Sequence, residues 1–166
     1  DMLNGIEGIM SLAAASGESL ATTSDIVTDA LTAFGMTAKD SGRFADVLAV
    51  ASSNANTNVS MMGETFKYVG AASGALGYSI EDVALGIGLM ANAGIKASQA
   101  GTELNSIFTR LGTNTNGARD AIEDLGISFY KSDGSARAYG DVLKELRAAT
   151  KNMTQEQKIN FANTVA

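Results

Sequence analysis

Apolar residues fall at i, i+3, i+4 and i+7 four times along this chain, and no proline interrupts them. The sets are Val27, Ala30, Leu31 and Phe34; Phe44, Val47, Leu48 and Ala51; Leu104, Ile107, Phe108 and Leu111; and Tyr139, Val142, Leu143 and Leu146. At 3.6 residues per turn, each set lies as one apolar stripe on one face of a helix. A stripe of that width has to be buried against another element. The expected fold is therefore all-α, a compact bundle of about nine short helices.

Eighteen glycines supply the breaks that proline does not. The pattern apolar-Gly-apolar recurs at Phe34-Gly35-Met36, Ala93-Gly94-Ile95 and Leu125-Gly126-Ile127. A glycine just past a helix end takes the left-handed conformation without a Cβ clash, and the apolar residue after it folds back on the last turn. Helix starts are marked as well. Ser79-Ile80-Glu81-Asp82 sets a hydroxyl at the N-cap and a carboxylate three residues on, with Tyr78 and Val83 in the positions of a hydrophobic staple. Thr22 to Asp25 and Thr154 to Gln157 have the same shape. These signals place helices near 2–15, 22–34, 38–54, 59–73, 80–93, 98–112, 117–125, 137–150 and 155–166. Residues 127–137 alternate weakly around Asp133-Gly134, a turn dipeptide, and predict a small β-hairpin or an extended loop. Asp133 reads as a turn residue. The loops at 54–58 and 113–117 are too short to be linkers, so residues 1–166 read as a single helical domain.

A weak internal repeat relates 14–48 to 71–108. Ala14 to Gly17 and Asp25 recur as Ala71 to Gly74 and Asp82, and Gly35 and Gly42 recur as Gly94 and Gly101. A looser third copy sets Gly126 before Gly134.

Composition removes most chemistry. The 166 residues contain no Cys and no His. The usual zinc and transition-metal ligands are therefore missing, as are the commonest general base and the commonest thiol nucleophile. No catalytic, metal or cofactor residue is assigned. The adjacent acid pairs Glu81-Asp82 and Glu123-Asp124 lie in or at the start of helices, where solvation or pairing with the helix dipole is their ordinary role. Net charge is −6, and residues 1–66 account for it with eight acids and two bases. Neither half is basic, so duplex DNA binding is not expected. The longest strongly apolar run, 83–95, falls short of the roughly 20 residues a spanning helix needs. A start at Asp1 and a stop inside a helical pattern read as a fragment of something longer.

Four further features carry competing readings. Gly70 to Gly77 is rich in glycine, but no Lys-Ser/Thr follows it, so close helix packing is favoured over a phosphate loop. Gly86 and Gly88 lie inside a helix, where each costs about 1 kcal/mol against Ala. Either another backbone packs there or the helix rearranges, for instance on entering a membrane. Met61 and Met62 read as flexible core fillers. Lys144, Arg147 and Lys151 form a basic stripe that is either solvated or meets an acidic surface, which residues 1–66 could supply.

Three segments resemble one protein family. They are Leu89 to Leu111; Ser24 to Met36 followed by Asp40 to Leu48; and Asn54 to Gly70. In order, and over about Ile9 to Leu111 with a looser tail to Leu146, they closely resemble the core region of phage tail tape measure proteins. The resemblance implies a structural and assembly role without a reaction, in tail assembly, tail length determination and genome delivery. It implies other copies of the chain, tail tube protein, tail assembly chaperones, and baseplate or tail-tip proteins as partners. The implied location is the tail tube lumen of the virion, after synthesis in the bacterial cytoplasm, with the host envelope reached on ejection. The alternative is a membrane-active delivery domain that inserts into the host envelope, motivated by the glycine-softened helix at 80–95 and implying transient membrane contact.

Overall fold

In the computed structural model, which describes residues 2–165, nine α-helices follow one another among the described residues. They are α1 (Met2–Ser16), α2 (Leu20–Ala33), α3 (Ser41–Asn54), α4 (Val59–Ala75), α5 (Ile80–Asn92), α6 (Ala97–Thr113), α7 (Ala118–Glu123), α8 (Tyr139–Thr150) and α9 (Gln155–Val165). Short 3-10 turns, Ala38–Asp40 and Thr115–Gly117, lead into α3 and α7. The fold is all-α. No strand is formed among the described residues. At 127–137 there is a single antiparallel bridge between Tyr130 and Ala136, closed by Lys131 N–H donating to Ser135 O at 2.8 Å and Arg137 N–H donating to Phe129 O at 2.9 Å.

The glycine punctuation produces one repeated helix ending. Met36 N–H donates to Leu31 O, Tyr78 to Ser73 O, Ile95 to Met90 O and Ile127 to Ile122 O, each reaching back five residues. The glycine before each has positive φ: Gly35 +63°, Gly77 +82°, Gly94 +92° and Gly126 +76°. This is the Schellman geometry, and it satisfies carbonyls that the helix end would otherwise leave unpaired. Leu76-Gly77-Tyr78 carries the same apolar-Gly-apolar pattern, so α4 runs on to Ala75 rather than stopping at 73.

Other expected boundaries differ too; the helix expected from 137 starts at Tyr139, and three more differ for a local reason. The helix expected from Thr22 starts at Leu20, because Ser19 Oγ accepts from Thr22 N–H and so caps the chain one turn earlier. The segment 38–54 is broken at Ser41, since the carboxylate of Asp40 turns back to accept from Thr37 N–H at 2.9 Å and holds residues 38–40 in a tighter turn. The segment 117–125 is helical only from Ala118 to Glu123, because the left-handed residues Asn114, Asn116 and Gly117 hold the chain in a 3-10 turn before it.

Packing is organised by glycine contacts. α1 lies most closely on α3, where a Cβ on Gly8 would stand 2.7 Å from the Cα of Gly42. α4 lies most closely on α6, where a Cβ on Gly101 would stand 2.9 Å from Thr65 O. α2 covers α4 near Gly70 and Gly74, which lie against Ala33 and Phe34. One continuous apolar core extends from Leu12 in α1 to Val142 in α8. Its largest buried members include Phe44, Phe66, Phe108 and Phe129. Phe44 and Phe34 both meet Phe66 edge-on, at 5.1 and 6.0 Å between ring centroids.

Candidate functional site

At the N-terminus of α5, Asp82 joins two helices. Its Oδ2 accepts from Ser79 Oγ at 2.8 Å and from Ser79 N–H at 3.3 Å, while Asp82 N–H donates to Ser79 Oγ at 3.1 Å. That is a complete capping box. Its Oδ1 accepts from Tyr139 N–H at 2.7 Å, which satisfies a free donor at the start of α8. The carboxylate is thus fully occupied with backbone and hydroxyl donors, a structural arrangement. Behind it stand Tyr78, Phe108 and Tyr139, with centroids 4.7 Å apart for the first two and 5.3 Å for the last two. Burial pushes the Tyr139 phenol up to about 12 and raises Tyr78 as well, so both rings stay neutral.

Glu81 points the other way and receives Arg43 from α3, with Nε donating at 2.8 Å and Nη2 at 2.7 Å. Hydrogen bonds from Arg43 hold its carboxyl below the usual glutamate range. Glu123 lies 3.7 Å from Arg119, one turn away. Glu81 and Asp82 thus face different partners, and Glu123 is turned to Arg119.

The sequence-assigned core residues separate into two groups. Val27, Leu31, Phe44, Leu48, Leu104, Phe108, Leu111 and Val142 are buried; Phe34, Val47, Ile107, Leu143 and Leu146 are half-buried and pack on the core edge. Met62 is fully buried, whereas Met61 is 36% exposed. Gly86 faces Leu104 and Tyr139, and Gly88 faces Ala55. Both helical glycines therefore sit where another helix or loop approaches closely.

Two of the open surfaces are set apart by their chemistry. Between α3 and α5 runs an apolar groove of about 430 Å³, walled by Val47, Val50, Ala51, Ala84, Leu85 and Leu89. Asp46 and Glu81 stand at one end of it, Asn54 and Asn92 at the other. Where the end of α8 meets α9, a hollow of about 540 Å³ is lined by Lys144, Arg147, Lys151 and Lys158. The basic stripe was legible from spacing; the contribution of Lys158 was not, because it comes from a different helix.

An all-helical bundle whose polar side chains serve caps, ties and surface, with one apolar groove and one basic corner, has the make-up of a structural domain. The chain belongs to the phage-related minor tail protein family, whose model it matches over residues 1–166. It is 37% identical over 158 residues to the tape measure protein of Pneumococcus phage Dp-1, covering 95% of this chain and 14% of that protein. It is 31% identical over 104 residues to the probable tape measure protein of Escherichia phage P2, covering 63% of this chain and 13% of that protein. The chain thus spans about a seventh of the relatives it matches. No solved structure matches it.

Proposed function

We propose that this chain is an assembly domain of a phage tail tape measure protein, and that it catalyses no reaction. The observation that carries this reading is the 37% identity to the Dp-1 protein across nearly the whole chain. In this reading the domain works in the tail tube lumen, docking with tube, tip or chaperone proteins, or with other copies, and leaves during ejection. Tail length is set outside it. A helix advances 1.5 Å per residue, so a ruler needs long extended arms. The longest helices here have 17 residues, about 25 Å, and they fold back on one another. The paired arrangements of α1 on α3 and α4 on α6, with their glycine contacts near Gly42 and Gly101, support a duplicated three-helix unit within one domain. No duplex DNA binding at physiological salt is part of the same reading.

The test is electron microscopy of tails from mutant phage, paired with infectivity. Core-breaking changes such as Leu48→Asp or Phe108→Asp should abolish tails or leave particles unable to deliver DNA. Deletions in flanking arms should shorten tails in proportion. Normal, infectious particles from Phe108→Asp phage, or graded shortening from deletions inside 22–112, would overturn it.

The membrane-active alternative rested on Gly86 and Gly88. Their close approaches to Leu104, Tyr139 and Ala55 give them a packing reason. No helix among the described residues is long and apolar enough to cross a membrane. Liposome leakage by the chain would restore that alternative.

A further inference from the structure

The fold leaves unused two surfaces that complement one another. In the α3–α5 groove, Val50 is 63% exposed, Leu89 48% and Leu85 42%. Large aliphatic side chains so exposed along one groove are what a docking surface offers. Asp46 at its rim has no ion-pair partner among the described residues, while the neighbouring Glu81 is held by Arg43. At the α8–α9 corner, Lys144 pairs with Asp141 at 3.0 Å, but Arg147, Lys151 and Lys158 have no carboxylate partner among the described residues. Beside Lys158 stands Ile159, 50% exposed.

Charge decides which surface meets which. The α3 wall of the groove belongs to residues 1–66, the half with eight acids and two bases. Groove-to-groove pairing would bring two acid-rich halves together and be opposed by their repulsion. Corner-to-groove pairing instead sets unpaired bases against Asp46 and seats an aliphatic side chain among Val50, Leu85 and Leu89.

We propose that this chain associates head to tail with a second copy of itself, the α8–α9 corner of one copy docking in the α3–α5 groove of the next. The contact is heterologous, so each end of a growing assembly keeps a free groove or corner and association continues into a ring or a filament. The proposal names the surfaces for the pairing with other copies that the assembly role includes, but it does not depend on that role, because it concerns the chain alone in solution.

Sedimentation velocity on the purified chain tests it. At roughly 0.1 mM, a concentration that populates a weak specific contact, species larger than the monomer are expected. They should grow with concentration and diminish with added salt, which screens exposed charges. Leu89→Lys in the groove, and Lys151→Glu with Lys158→Glu in the corner, should each weaken association at least about tenfold while leaving the helical spectrum unchanged. All three residues are solvent-exposed, and Val50→Lys serves if Leu89→Lys does not fold. The decisive arm mixes the groove variant with the corner variant. One intact groove then meets one intact corner, so a discrete heterodimer that grows no further is expected. A wild-type chain that stays monomeric throughout, or a mixture of the two variants that stays monomeric, would overturn the proposal.

Discussion

Gly8 and Gly42 share one contact but not one constraint. A Cβ on Gly8 would stand 2.7 Å from the Cα of Gly42, against backbone that cannot step aside, whereas a Cβ on Gly42 meets nothing within 4 Å. Gly8→Ala should therefore destabilise by about 1–3 kcal/mol through overpacking. Gly42→Ala should be neutral, or stabilising by up to about 1 kcal/mol, through reduced unfolded-state freedom. Urea melts of the two variants measure both, and equal effects would contradict the geometry. Ala97 presents the opposite case. It opens α6 at φ +52°, a conformation that strains any residue with a Cβ. Its carbonyl accepts from the buried Thr65 hydroxyl at 2.9 Å, which explains why the strain is tolerated. Ala97→Gly should stabilise by up to about 1 kcal/mol in thermal or urea melts. Gly94 and Gly117 are alike at this scale. Both have positive φ, +92° and +72°, so a side chain with a Cβ is strained at either position.

The helices are tied by a few polar contacts at their ends. Ser79 supplies only the cap of α5, while Asp82 supplies the cap and also receives Tyr139 N–H from α8. Ser79→Ala should cost about 1 kcal/mol and Asp82→Ala about 2 kcal/mol, since the second change also leaves a donor of α8 unpaired. The reverse order in denaturant melts would mean that the α5–α8 tie is energetically empty. The Arg43–Glu81 pair ties α3 to α5 from outside. Because Arg43 depresses the Glu81 pKa in the folded state, the pair contributes fully above the pH where a free glutamate ionises. The contribution is lost as pH falls through the lower folded value. Glu81 is about half exposed, so the effect should stay below about 1 kcal/mol. The stability gap between wild type and Glu81→Gln should narrow between about pH 7 and about pH 3; a gap that widens in acid would reverse the assignment.

The continuous core predicts that the molecule melts as one cooperative unit. Leu48 lies in α3 and Phe108 in α6, one in each of the two three-helix units proposed above, and both are fully buried. Leu48→Ala should cost about 2–5 kcal/mol and Phe108→Ala about 3–5 kcal/mol. Each should shift a single transition seen alike by circular dichroism and tyrosine fluorescence. Separate melting of the two halves would show that the shared core does not couple them. Such cooperativity would hold the groove and the corner in the fixed relation that the proposed head-to-tail contact requires.

The caps and helices were legible in the sequence because they depend on residues within one or two turns. Gly35, Gly94 and Gly126, the Ser79–Asp82 box and the four apolar stripes are local chemistry, and helix ends follow from it wherever the chain goes. The resemblance of three ordered segments likewise needed only the order of residues. What the sequence could not reveal depends on neighbours distant along the chain. Met62, Phe66, Val69 and Ile87 are among the most buried residues. Met62 reads as a core filler from sequence, but Phe66, Val69 and Ile87 were missed because α4 and α5 are covered on several sides, and a helix covered on several sides shows no single stripe. Gly8, Gly101 and the strained Ala97 have meaning only where another helix or a buried hydroxyl arrives beside them. The groove and the basic corner are of this kind too. Val50 and Leu89 come from helices α3 and α5, and Lys151 and Lys158 flank the turn from α8 to α9; only packing sets each group side by side. Sequence therefore determined which segments are helices and how each one ends, because backbone hydrogen bonds and capping act over short range. Tertiary structure decided which faces are buried and which remain open, because burial is a property of the assembled bundle.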